Sequence, residues 1–467
     1  MAITIEYQKE LILKKNIWGY IGLLSALLIG ATGCSSDDEE SSTATSYVQL
    51  YNASANSTSL SLSLDDYQYT AVEYANAMPK YAYSVGEVEL EIIGEDDIGD
   101  ELVNYQQTLD LNNGDHHLFM LIGDYHSPEF MDISYQTTEM DEFNDDEDVD
   151  YSKMQLLVAH TAMDAGAFDV YIGVDGRDFI DATHLDSLSY KGSTSAVTLD
   201  TGDYVLYLTE PGAVEPIYIT AALSLSSETV YKLVIRDSFG PGTPNITIDN
   251  VDSTSGADNY SNVEANAEFR LFNGLSEHGN LDVLVSNNGN DIALKGIELG
   301  QSTAFQSVDF DDYGVTITQS ESQALLANNL LVTFNQDETK SMLLYQDEAE
   351  QIKGLTLVHD LRPRAYESLI NFANLVHSFD DLSIYFVAED ETIDSAEYKI
   401  DGVDFAEDES LLLPTGYYEV SVVYEDDNSN LTLLYQSELM SFDDSQYTLA
   451  LYEDQMQALG YQLTVIN

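Results

Sequence analysis

The sequence predicts an all-β chain: a tandem array of four immunoglobulin-like or transthyretin-like β-sandwich modules behind a lipoprotein signal peptide. Three observations carry this expectation. One strand–turn–strand pattern recurs four times at intervals of roughly 100 residues, as a repeated module does. Within each copy, apolar and polar residues alternate with a period of two, which a half-buried strand requires. A basic, then apolar, then small-residue segment ending in a lone cysteine opens the chain.

Residues 1–33 come first. Lys9, Lys14 and Lys15 form a basic region, residues 17–29 carry no charge, and Gly30-Ala31-Thr32-Gly33 precede Cys34. An apolar run of about 13 residues is too short to span a bilayer, which takes about 20, and it fits a secretory signal. The small residues before Cys34 resemble a bacterial lipobox, with Ala31 where Leu is commonest. That resemblance implies that Cys34 becomes the acylated N-terminus of the mature chain. Acyl chains such as palmitate then hold it to the membrane, at about 0.8 kcal/mol per buried CH₂. Ser35 after the cysteine implies the outer membrane. Residues 34–46, with Asp37-Asp38-Glu39-Glu40 among serines and threonines, read as a hydrated tether facing the periplasm or the cell surface. Cys34 is the only cysteine and Trp18 the only tryptophan. The processed chain therefore has no thiol for a disulfide, a metal or a nucleophile.

The modules follow at residues 47–136, 152–251, 267–361 and 365–467. Their opening segments are VQLYNASANSTSLSLSL from Val48, LLVAHTAMDAGAFDVYI from Leu156, FRLFNGLSEHGNLDVLV from Phe269 and SLINFANLVHSFDDLSIYF from Ser368. Asn52, His160, Asn273 and Phe372 align as anchors, with Ser61, Asp169, Asp282 and Asp381 following at equal spacing. Later in the copies, Gly86, Gly202 and Gly416 each precede an alternating strand; the third copy has Asp311 there, so its turn is expected to differ. Residues 137–151, residues 252–266 and Arg362-Pro363-Arg364 carry few apolar side chains and read as linkers in a string of sandwiches. Units of this size can bury a core without disulfides.

The second copy, from Ala159-His160 through Asp164, Asp169-Val170-Tyr171 and on to Gly202 and Tyr204, resembles the DUF 4397 domain family. The match is best over residues 153–237 and weaker in the other copies. It implies a secreted or lipid-anchored bacterial protein of undefined function, and it transfers no catalytic residue.

Sixteen Lys+Arg stand against 83 Asp+Glu, a net charge of −67. This argues against nucleic acid, whose affinity is set by cationic side chains, and against anionic lipid headgroups. Such a charge repels itself and suits saline surroundings, where it is screened.

Little chemistry is legible. There is no Gly-x-Ser-x-Gly elbow, His-Glu-x-x-His, Walker loop or dinucleotide fingerprint. Gly240-Pro241-Gly242 reads as a turn and residues 426–430 as a hairpin loop. His116 and His117 read as loop histidines; a zinc site with Asp115 and His126 is the sharper alternative, but neighbours on a strand point to opposite faces. His160 reads as a ring packed at the sandwich rim and bonded to loop backbone. Asp141, Glu142, Asp145, Asp146, Asp148 and Asp150 offer hard oxygen ligands at a density that suits structural calcium. The competing reading is a solvated, self-repelling linker that keeps modules apart.

The functional expectation is a non-enzymatic, lipid-anchored envelope protein, a spacer and binding array with a protein or glycan partner and no cofactor beyond the calcium candidate. The alternative is a carbohydrate- or peptidoglycan-associated factor, either a binding module or a weak hydrolase with paired carboxylates. The 32 tyrosines discriminate. A cluster exposed beside carboxylates favours the glycan reading, and tyrosines spread through four cores favour the array.

Overall fold

The computed structural model describes residues 44–145, 152–287, 289–426 and 428–466. The signal, Cys34, most of the tether, and Asp146, Asp148 and Asp150 lie outside the described residues. No described helix is long and apolar enough to cross a membrane.

Eight sheets among the described residues build four sandwiches. In the first, one sheet runs Tyr81–Ser84, Thr45–Ala53, His116–Ile122, Glu129–Tyr135, and the other Tyr67–Gln68, Ser61–Leu64, Gly86–Glu95, Glu101–Leu111. Strand Thr45–Ala53 takes in residues assigned from the sequence to the tether. The plan recurs. Each copy has one sheet, here called inner, built on a parallel pair: Thr45–Ala53 with His116–Ile122, Lys153–His160 with Val230–Asp237, Ala267–Asn273 with Thr339–Gln346, and Glu367–Asn374 with Gln446–Glu453.

The anchors cap the opening strands. Asn52 Nδ2 donates to Ser57 Oγ at 2.8 Å, Asn273 Nδ2 to Gly279 O at 3.3 Å, and His160 Nε2 meets Gly166 O at 2.9 Å. In the fourth copy Asn374 does this work, through Phe379 O at 2.8 Å. Phe372 is instead a core residue. The loop that follows is seven residues long in all four copies, so Ser383 and not Asp381 is the counterpart of Asp169 and Asp282, and matching on Asp381 put the anchor two positions early. A second recurring device lies at the later corner. Tyr204, Tyr313 and Tyr418 hydroxyls donate back to Asp200 O, Asp309 O and Pro414 O, at 2.7, 3.2 and 3.1 Å. The third copy keeps this corner despite Asp311, contrary to expectation. Its strand, like those at Gly202 and Gly416, starts without a positive φ, so a side chain is tolerated.

The inner sheets are apolar on both faces. Strands His116–Ile122 and Lys153–His160 are buried at almost every position, whereas the outer strand Gly86–Glu95 alternates buried and exposed. A sheet with two apolar faces must be covered twice. The first and second modules cover each other: Tyr51, Leu118, Met120 and Ile122 pack on Leu157, Ala159, Val230 and Val234. In the same layer Lys232 Nζ donates to Gln49 Oε1 at 2.8 Å, and Gln49 Nε2 donates to Met78 O at 2.9 Å. The third and fourth modules pair likewise, through Phe272, Leu343 and Leu357 against Ala373, Leu375, Ala450, Tyr452 and Ile466. There the buried Arg270 reaches Ile466 O at 3.2 Å. Gly300, at φ +72°, admits the Tyr452 ring; a Cβ would fall 2.0 Å from its hydroxyl oxygen.

The described parts of the stretches read as linkers are therefore structured, because the modules they join touch. Thr138–Asn144 is a helix whose Met140 enters the first–second interface. Ala257–Tyr260 adds a strand to the second module's inner sheet. An expected string of sandwiches is instead two face-to-face pairs.

Replacing Leu343 by Ala tests this directly. Leu343 belongs to no sandwich core, yet it is fully buried between modules. We expect a loss of about 2–5 kcal/mol in denaturant unfolding, like a core leucine. A module standing alone would lose only about 0.5 kcal/mol, as at a surface position.

Candidate functional site

The strongest polar constellation lies where all four modules converge. Val230–Asp237 and Ile246–Val251 pair in antiparallel register, bringing Arg236 beside Asp249. Arg236 Nε donates to Asp249 Oδ2 at 2.6 Å and Nη2 to Oδ1 at 3.3 Å. Tyr51, from the first module, donates to Asp249 Oδ2 at 2.7 Å, and Asn259 Nδ2 to Oδ1 at 2.8 Å. Burial alone would depress the guanidinium, but Asp249, Tyr51 and Tyr74 outweigh it and raise its pKa. The Tyr74 ring lies under both Arg236, at 5.1 Å, and Arg362, at 5.4 Å. Burial pushes its phenol up to about 12.

Arg362 holds the joint between the third and fourth modules against the first, and Arg364 braces the joint from within. Arg362 Nη1 donates to Ala55 O at 3.0 Å and Ser57 O at 3.2 Å, and Ala365 N to Asn56 O at 2.8 Å. Arg364 Nη2 donates to Asp360 Oδ2 at 2.6 Å. Between the second and third modules, Ser238 Oγ and Gly242 N donate to Asp337, at 2.5 and 2.7 Å. A Cβ at Gly240 would lie 2.1 Å from Asp337 O, so this contact demands glycine.

These contacts enclose a cleft of about 950 Å³ to which every module contributes, among others through Tyr74, Glu95, Phe239, Asp337, Arg362 and Glu367. Three of the chain's five arginines line it. Glu367 is raised by its partial burial, and Arg362 is lowered chiefly by burial and then by Arg364. His359, pulled down to about 4 by burial and then by Arg270, is neutral and meets Ser341 Oγ at 2.6 Å. The volume is that of a ligand-sized cleft, and the lining is more polar than that of a typical small-molecule pocket.

Several residues singled out from the sequence sit elsewhere. His116 and His117 are strand residues, not loop residues, because they open the buried strand His116–Ile122. His116 stacks between Tyr47 and Tyr135, at 4.4 and 5.1 Å, and burial draws it down to about 4. His117 pairs with Asp132 at 3.0 Å. His160 is buried against Phe168 with its backbone bond to Gly166. Of the calcium candidates, Asp141 and Glu142 ride on the helix and Asp145 caps it. Among the described residues no group of three or more His, Cys, Asp or Glu is gathered to hold a metal ion. Asp426 folds its hairpin loop, accepting from Asn428 N and Asn430 N at 2.8 and 2.9 Å.

Sequence reasoning missed the cleft. The available signal was the rarity of arginine in so acidic a chain, with Arg362 and Arg364 two apart in a supposed linker.

No family model matches the chain, and no curated protein does. Among solved structures, the Bacillus anthracis TIE protein aligns over 85% of this chain and 68% of that one, at 9% identity and TM-score 0.17. The major pilin subunit BcpA of Bacillus cereus aligns over 64% and 98%, at 10% identity and TM-score 0.14. A candidate cell adhesion protein from Bacteroides fragilis aligns over 41% and 84%, at 8% identity and TM-score 0.12. With superpositions this loose, function is argued below from the chain's own architecture.

Two substitutions test the buried polar groups between the first and second modules. Asp249→Ala strands a buried guanidinium and is expected to cost about 3–5 kcal/mol in denaturant unfolding. Lys232, drawn down to about 8 mainly by burial, binds its proton less well folded than unfolded. It therefore holds stability back at neutral pH and releases it as pH rises above 8 toward the unfolded value. Lys232→Met should remove that rise, seen as a wild-type-minus-variant slope of up to about 1.4 kcal/mol per pH unit.

Proposed function

We propose that this chain is a lipid-anchored protein of the bacterial outer membrane that works without catalysis, presenting four locked sandwiches as one binding body. The observation that carries the binding role is the shared cleft. Two buried interfaces and the Arg362–Arg364 joint fix the modules around it, whereas a spacer needs no such convergence. Anchoring rests on the Cys34 lipobox resemblance, and membership of a secreted or anchored class on the DUF 4397 resemblance of residues 153–237. The net charge of −67 leaves neutral or cationic partners as the fitting ones.

In small-angle scattering, a compact body of the size of residues 44–467 should give a radius of gyration of about 22 Å. A clearly larger value, as from an extended string, would remove the basis for a shared cleft. The Cys34→Ser variant should leave the membrane fraction. Protease shaving of intact cells then assigns the facing: digestion places the body outside, and protection until the outer membrane is broken places it in the periplasm.

A further inference from the structure

The first module carries a feature that the other three lack. Asp65 and Asp66 form a two-residue turn at φ +48° and +67° between Ser61–Leu64 and Tyr67–Gln68, a geometry that suits a tight hairpin. The turn sets Tyr67 and Tyr69 two residues apart, on one side of the chain. Tyr81 comes from the edge strand of the opposite sheet, so three rings bridge the open side of the sandwich. Tyr67 meets Tyr69 edge-on, with centroids 5.0 Å apart at 78°, and Tyr69 meets Tyr81 at 4.8 Å and 37°. Tyr67 is 63% exposed and Tyr81 37%. Tyr83 anchors the group, donating to Asp65 Oδ2 at 3.1 Å, while Asp65 Oδ1 accepts from Glu89 N at 2.9 Å. Among the described residues, the hydroxyls of Tyr67, Tyr69 and Tyr81 have no hydrogen-bond partner, and the exposed Asp66 carboxylate has none either.

Closing the sandwich edge does not require this cluster. The corresponding edges of the second and third modules, Thr183–Leu188 with Val197–Asp200 and Asp291–Ile297 with Gln306–Val308, contain no tyrosine. The fourth has Tyr398 alone on Tyr398–Val403 and Asp408–Pro414.

We propose that Tyr67, Tyr69 and Tyr81, with the Asp66 carboxylate at their rim, form a binding platform for a neutral glycan. The negative face of an aromatic ring attracts the slightly positive C–H face of a pyranose. Free phenol hydroxyls and a carboxylate at the rim take the hydrogen bonds of the sugar hydroxyls. The corner between Tyr67 and Tyr69 offers a wall and a floor for one sugar unit. Three partly covered rings expose on the order of 250 Å², since each ring carries about 150–250 Å². A stable protein interface takes about 800 Å² per partner, so the platform fits a sugar and not a protein face. The chain's net charge of −67 turns anionic polymers away and leaves uncharged glycans. The platform stands apart from the junction cleft, and neither depends on the other.

The test is affinity electrophoresis of the full chain in gels containing, one at a time, a soluble β-1,3-glucan, a β-1,4-glucan, an α-1,4-glucan and an N-acetylated chitin derivative. Retardation is expected in at least one gel, weakened about tenfold or more by Tyr67→Ala with Tyr81→Ala. Tyr417→Ala, which removes an isolated tyrosine 66% exposed on the fourth module, should leave it unchanged. Tyr67→Phe should lose less than Tyr67→Ala, because it keeps the ring. Thermal unfolding of each variant separates lost binding from lost folding. No retardation in any gel, or retardation that survives the double substitution, overturns the proposal. So does a dimer in light scattering that the double substitution abolishes, since the rings would then serve a second copy of the chain.

Discussion

Two-faced burial of the inner sheets is the constraint from which the rest of this structure follows. A sheet whose strands are apolar on one side needs one partner, and its own sandwich supplies it. The strands around Leu118–Met120 and Leu156–Ala159 are apolar on both sides, so the second side must find another module. The third and fourth modules solve the same problem through Phe272, Leu343 and Tyr452. Once paired, the modules have little freedom, and the connecting segments are drawn into the interfaces they span.

Polar groups caught in these interfaces had to be satisfied where they lie. Asp249 is 1% exposed and accepts from Arg236, Tyr51 and Asn259, which joins residues of two modules on one carboxylate. Removing one member leaves the others desolvated, so such a network specifies one docking geometry over its neighbours. Tyr74 extends the network by lying under both Arg236 and Arg362, and through Arg362 it reaches the third–fourth joint. In a chain of net charge −67, concentrating arginine at the junction places positive charge where all four modules contribute residues.

The repeats also separate what a module needs from what one module adds. All four copies cap the opening strand with a side chain that reaches the following loop, and Asn or His serves equally because each supplies a polar atom at the right reach. Three copies pin the later corner with a tyrosine hydroxyl. Against this shared plan the tyrosines of the first module's edge stand out as an addition, since the plan is complete without them.

The sequence by itself determined the β class, the four copies and their strand pattern, because period-two alternation and recurring turns are local signals. It also marked His160 as a packed rim histidine. It did not reveal the pairing of modules, although the unbroken runs Leu118-Phe119-Met120-Leu121-Ile122 and Leu156-Leu157-Val158-Ala159 carried the hint. A continuous apolar run says that both faces are covered without saying by what. Nor did it reveal the cleft: Arg236, Arg362 and Asp337 are far apart in the chain, and only docking brings them together. The anchor in the fourth copy, Asn374 in place of Phe372, shows the same divide: Asp381 matched the spacing by residue type, and only the folded loop shows which side chain reaches across it. Local alternation fixes which face of a strand is buried; what covers that face is decided only when the modules meet.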